Sequence, residues 1–245
     1  MDAAETGAAI EKLDSVSFDA LLAQQEPLAK KQAIFDLTGV QFVSPAALVQ
    51  LAAACYAIAR DGRQAVIRVP DPGVRSYLNR AGFFSVTEDV AAFDPPMTEA
   101  RRFEFLRGSN LMLIEVTKIE KGSELPDLLD AIVVVLRKRL KYRKYDAFDV
   151  ATAVSEIAQN TFDHNTQTCG FVAMQVYGRG RRRFLEIGVA DSGDGLAATL
   201  CRNPRHSPRT DLDAIKLAVQ LGTSQHEDPT RGTGLHHLLE ITYEH

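Results

Sequence analysis

The sequence has little cysteine, no surplus of positive charge and no long apolar run, and each shortage removes a class of function. Its 245 residues include three cysteines, Cys55, Cys169 and Cys201, an odd number at wide spacings. No Cys-x-x-Cys pair is present, so neither a zinc site nor a dithiol redox motif is written here, and free thiols point to a reducing compartment. Lysine and arginine number 28 against 32 aspartates and glutamates, a net charge of −4. The basic field of non-specific nucleic-acid binding is missing, and no nucleic-acid partner is expected. The segment Ser44–Ala59 carries no charge but is rich in alanine and shorter than the roughly 20 apolar residues of a bilayer span. Met1–Ser15 has acidic residues and no basic start leading into an apolar run, so no secretory signal is read. A cytoplasmic protein without membrane attachment is expected.

What is present is ordinary globular usage, 45% hydrophobic and 24% charged, with no internal repeat and no low-complexity tract. The Asp94-Pro95-Pro96 cluster and the mixed charges after it mark a boundary, because a Pro-Pro pair continues neither a helix nor a central strand. The expected division is a domain over 1–95, a linker over 96–107 and a second domain over 108–245. In the first, Ala33–Leu37 and Ala65–Val69 read as strands, Pro45–Arg60 and Pro72–Ala81 as helices. This order predicts a mixed sheet covered by helices. In the second, Leu111–Val116 reads as a strand, and Leu125–Arg143 and Phe148–Asp163 as helices. Gly170–Tyr177 and Phe184–Ala190 read as strands joined by an arginine-rich hairpin carrying Arg179, Arg181, Arg182 and Arg183. Leu200–Arg231 is polar and poorly periodic apart from a helical stretch at Leu212–Leu221, the pattern of a lid over a site.

Three short motifs follow one another in the second half. Glu156 and Asn160 stand four residues apart in a helix whose apolar face is Ala151, Val154, Ile157 and Ala158. That spacing puts carboxylate and amide one turn apart on one side, with His164 four residues further. A carboxylate can take a proton from an attacking hydroxyl, and an amide oxygen suits Mg²⁺. Asp191-Ser-Gly193-Asp-Gly195 follows a strand; an acidic residue at a strand end can accept from an exocyclic amine, while glycines let the backbone approach a ligand. A tight turn is the plain alternative; a calcium loop is excluded, since no glutamate stands at its twelfth position. Gly232-Thr233-Gly234 precedes the helix-like Leu235–Glu240, where free N–H groups would cradle an anion, or simply begin a helix. The Walker phosphate loop is absent. His226, His236, His237 and Cys201 match no metal-ligand spacing.

Taken in order, these motifs resemble the GHKL ATP-binding fold of histidine kinases and gyrase-type ATPases. AVSEIAQNTFDHN (Ala153–Asn165) is most similar to the bacterial anti-sigma-factor serine kinases. The resemblance implies a Bergerat-type α/β sandwich that binds ATP and Mg²⁺. Glu156 would be the general base, Asn160 the Mg²⁺ ligand and Asp191 the adenine contact. Gly193, Gly195, Gly232, Thr233 and Gly234 would form the nucleotide loops. Phosphate would pass to a serine or threonine of a partner, a STAS-type or sigma-factor-like regulator, and a homodimer is compatible with the family. Many members carry a third glycine where this chain has His236. The fold normally continues through closing strands, so with the last residue at His245 the chain is expected to be a fragment or to have a short sheet.

The first half also carries a resemblance. DLTGVQFVSPAAL (Asp36–Leu48), AVIRV and VRSYLNRAGFF (Val74–Phe84) are similar to the STAS fold of anti-anti-sigma factors. In that family an aspartate and then the phosphate-accepting serine open the helix; here those places hold Ser44 and Pro45. Ser44 reads instead as an N-cap with proline at the first helical position. The module would then dock or regulate rather than accept phosphate, and a non-catalytic partner-switching protein is the alternative to a kinase.

Overall fold

The structure, a computed structural model, describes residues 10–24, 31–97, 113–164, 168–178 and 182–220. It is a mixed α/β architecture of helices and several small sheets, as expected. The described residues divide into two compact units, one within Met1–Lys118 and Phe171–Ala190, the other within Ile119–Gly170 and Asp191–His245.

The first unit opens with the short strand β1 (Lys12–Leu13) and the helix α1 (Ser15–Ala23), neither of which the sequence pattern announced. Asp14 starts α1: its Oδ1 accepts the N–H groups of Val16 and Ser17, while the Ser17 hydroxyl receives the Asp14 N–H at 2.8 Å. Then come β2 (Gln32–Asp36), β3 (Phe42–Val43), α2 (Pro45–Arg60), β4 (Gln64–Arg68), α3 (Pro72–Arg80), α4 (Phe83–Thr87) and β5 (Ala91–Asp94). β2, β4 and β5 form one parallel sheet in that order, and β1 pairs with β3, also in parallel. Strand alternation turns Ala33, Phe35, Ala65 and Ile67 inward, and Leu48, Leu51 and Leu78 of the helices are buried as well. Each large apolar side chain so buried contributes about 1.5–3 kcal/mol.

Helix boundaries follow local chemistry. Asp71 caps α3 by accepting the Val74 N–H at 2.8 Å, with Pro72 next to it. Gly82, at φ 74°, turns the chain after α3 and begins α4. Across the sheet edge, Arg68 reaches Asp36 at 2.9 Å and Asp94 at 3.1 Å, its register partners on either side. The start of the Pro-rich stretch is tied down: buried Arg75 donates to the carbonyls of Pro95 at 2.8 Å and Pro96 at 3.4 Å.

A second three-stranded sheet has the order β6 (Leu113–Ile119), β7 (Gly170–Tyr177), β8 (Phe184–Asp191). The connection between β7 and β8 is too short for a parallel crossover, so the two run antiparallel. β7 is buried on both faces, with Phe171, Val172, Ala173, Met174 and Val176 all in the core. Strands β6, β7 and β8 lie largely in the first unit. The Val116 N–H donates to the Ala81 carbonyl at 2.8 Å, Phe171 packs on Tyr56 of α2 with ring centroids 5.2 Å apart, and the Tyr77 hydroxyl donates to Gln175 at 3.0 Å.

In the second unit α5 (Leu125–Val135) runs on into a π-helical turn (Leu136–Leu140), which ends at Lys141 in the left-handed conformation, φ 62°. The expected single helix Leu125–Arg143 therefore stops early, and the next, α6 (Lys144–His164), begins before the predicted Phe148. Of the apolar face read from the sequence, Ala151, Val154 and Ala158 are buried, together with Ala147, whereas Ile157 is only half-buried. Two short helices follow, α7 (Leu196–Leu200) and α8 (Asp211–Ala218). Leu200, Ala214 and Ala218 are buried together, so α7 and α8 pack on each other, while most of the residues between them are exposed. Among the described residues no helix is long and apolar enough to cross a membrane.

Candidate functional site

The best-defined part of the predicted constellation is the turn that leaves β8. Asp191 closes the strand, exposed, and its Oδ1 accepts the Gly193 N–H at 2.7 Å, an Asx turn. The residue between them is an anchor: Ser192 is buried, its N–H donates to the Cys169 carbonyl at 3.1 Å, and its Oγ accepts the Cys169 N–H at 3.2 Å. These two bonds hold the turn against the segment that follows α6. Gly193 has a steric reason to be glycine, since a Cβ there would lie 2.5 Å from Asp191 Oδ1 and 3.7 Å from the Thr168 methyl. Gly195 adopts φ 85° and leads into α7, and Asp194 pairs with Arg202 at 2.8 Å.

Asp191, Gly193 and Gly195 are thus brought together in one turn. Glu156 is half-buried on α6, and Asn160 lies one turn further along the same helix, as does His164 after it; the side chains of Asn160 and His164 are outside what the structure describes. Gly232, Thr233 and Gly234 lie outside the described residues, as do Arg179 and Arg181 of the hairpin. Among the described residues no three His, Cys, Asp or Glu side chains gather as a metal site.

At the start of α2, Ser44 is the N-cap with Pro45 at the first turn: its Oγ accepts the Ala47 N–H at 3.3 Å, and the residue is 1% exposed. Sequence reasoning missed what lies against that turn. Glu186 on β8 accepts the Ala46 N–H at 3.4 Å, and Gly188 approaches Pro45 and Ala46 backbone to backbone. Only Gly188, a glycine inside a strand pattern, could have hinted at such an approach. Glu186 also acts on its neighbours. Burial pushes the Tyr77 phenol up and the Glu186 charge adds to it; burial likewise pushes Tyr177 up, with Tyr77 and Glu186 contributing.

The stretch that holds β2, α2, β4, α3 and β5 matches a known family. A STAS domain is found at residues 9–94. The STAS domain coincides with the elements β1 to β5, and its family is that of partner switching between regulatory proteins and of anti-sigma-factor antagonists. No curated protein and no solved structure matches the chain.

Proposed function

We propose that the protein is an ATP-binding regulator of the anti-sigma-factor kinase type, in which the STAS domain docks a protein partner and residues 108–245 form the nucleotide domain. The observation that carries this reading is the Asp191 turn. An exposed carboxylate at a strand end has one oxygen oriented by the Gly193 N–H, and no Cβ at Gly193 crowds it. Such a group fits the donor edge of a purine. Support also comes from the STAS match at 9–94, a domain of partner switching, standing before the Glu156, Asn160 and glycine motifs in one chain.

In this reading Glu156 takes the proton of the partner's serine or threonine hydroxyl, Asn160 holds the metal, and Asp191 orients the base. The glycines at 193, 195, 232 and 234, with Thr233, line the nucleotide. Bound Mg²⁺ and ATP supply the phosphoryl group and the neutralising charge, and catalysis is otherwise positioning. Replacing Glu156 with alanine should abolish phosphoryl transfer, or ATP turnover, while sparing nucleotide affinity; turnover that survives removes the base role. The second reading, a docking module whose nucleotide site is regulatory or degenerate, is favoured by Ser44–Pro45, which puts a helix cap where the family's acceptor would stand. It predicts nucleotide binding without turnover, or none.

A further inference from the structure

One corner of the second unit gathers charge against the trend of the chain. Between Arg137 and Lys144 six of eight residues are basic: Arg137, Lys138, Arg139, Lys141, Arg143 and Lys144. Taking those six from the 28 basic residues leaves 22 against 32 acidic ones, so the rest of the chain carries −10. The backbone fixes where this run stands. The Tyr142 N–H donates to the Leu136 carbonyl at 3.2 Å across the π-helical turn, Lys141 reverses the chain at φ 62°, and the Ala147 N–H donates to the Arg143 carbonyl at 3.1 Å as α6 begins. Leu136 and Ala147, fully buried, anchor the corner to the core. Five of the six cations, all but the half-buried Arg139, are exposed. Three rings stand among them in sequence: Tyr145 is 80% exposed, Phe148 48% and Tyr142 37%. The Lys144 ammonium lies 5.8 Å from the Phe148 ring centroid. Arg143 pairs at 2.9 Å with Asp146, the one acidic residue between 134 and 148.

We propose that this corner is a docking surface for an anionic lipid bilayer, on which the protein rests peripherally. Six crowded cations are costly to desolvate, and the centre of a protein–protein interface is depleted of charge. A bilayer attracts them while they stay hydrated beside the headgroup phosphates, each cation contributing about fivefold to partitioning. The rings complete the fit, because aromatic side chains settle at the headgroup level of a membrane. A single-stranded nucleic acid also stacks on aromatics, but it is held along a basic groove, and this run is the turn between two helices that pack on each other. The negative remainder of the chain is repelled by the same surface, so the corner orients the protein as well as attracting it. Contact of this kind needs neither a spanning segment nor a chain of net positive charge. It is independent of the nucleotide reading.

The test is sedimentation of the full chain with vesicles of phosphatidylcholine containing about one third phosphatidylglycerol, against vesicles of phosphatidylcholine alone, at low and at raised salt. The protein should sediment with the anionic vesicles only, and less as salt rises. Arg137→Gln combined with Lys138→Gln alters two exposed side chains, leaves the core untouched and should lower the partition coefficient about 25-fold, two factors of five. Tyr145→Ser removes an exposed ring without changing charge; it should lower the coefficient severalfold while keeping the salt dependence of the wild type. Failure to sediment with the anionic vesicles, equal sedimentation with the neutral ones, or unaltered binding in the double variant overturns the proposal. So does tighter binding of a fluorescent oligothymidylate at the same salt, which would make the corner a nucleic-acid site. A dimer that the double variant dissolves would likewise overturn it, by making the corner a contact between copies of this chain.

Discussion

Asp191 and Gly193 hold each other in place: the carboxylate oxygen that accepts the Gly193 N–H at 2.7 Å is the atom that a Cβ on Gly193 would strike at 2.5 Å. The carboxylate keeps its orientation only while residue 193 lacks a side chain. Gly193→Ala should therefore weaken binding of an ATP analogue by about tenfold, the worth of one misdirected hydrogen bond. Unaltered affinity in a calorimetric titration would mean that the turn does not touch the nucleotide.

Ser44 should carry no phosphate after incubation with Mg²⁺ and ATP. Its hydroxyl is buried and accepts the Ala47 N–H, so it is out of reach of a phosphoryl donor. Ser44→Ala should cost about 1 kcal/mol of unfolding free energy through loss of the cap. Phosphate located at Ser44 by mass spectrometry would contradict this placement.

Asp14 gives the first unit a pH dependence. The Ser17 N–H and then Lys12 hold its carboxyl down, to about 2. A carboxyl depressed in the folded state stabilises above its unfolded pKa of about 3.9 and loses that contribution as pH falls toward the folded value. Asp36 adds in the same sense: burial raises it, but the Thr38 hydrogen bonds and Arg68 outweigh that. Acid unfolding between about pH 4 and 2 should thus be less steep in Asp14→Asn, which should also be about 1 kcal/mol less stable at neutral pH. An identical acid limb in urea titrations of the two proteins would remove Asp14 from the account.

The cysteines should react unequally. Cys201 is exposed, whereas Cys55 and Cys169 are buried, and burial pushes the Cys55 thiol up to about 12. The thiolate is the reacting form, so a maleimide should label Cys201 in the native protein and reach the other two only after denaturation. Rapid native labelling of Cys55 would show that α2 opens.

The sequence was legible where local chemistry decides. The Ser44–Pro45 cap, the alternation of Ala33 and Phe35, and the face of Ala151, Val154 and Ala158 on α6 all follow from nearest-neighbour rules. α1 escaped because it is short and its start rests on Asp14 and Ser17 rather than on periodicity. The early end of α5 escaped because Lys141, at φ 62°, is a residue type that rarely marks a turn. The site was legible as motifs but not as geometry: nothing near Asp191 announces that Ser192 is pinned to Cys169, and nothing near Ala46 announces Glu186. Those bonds join residues far apart in sequence, and only the fold brings them together.

The most direct measurement is calorimetric titration of a non-hydrolysable ATP analogue into the full chain, with and without Mg²⁺, repeated on Asp191→Asn. The account predicts a dissociation constant on the order of micromolar that requires Mg²⁺ and is lost in Asp191→Asn. No heat of binding with the analogue at millimolar concentration, or equal affinity in Asp191→Asn, would contradict it.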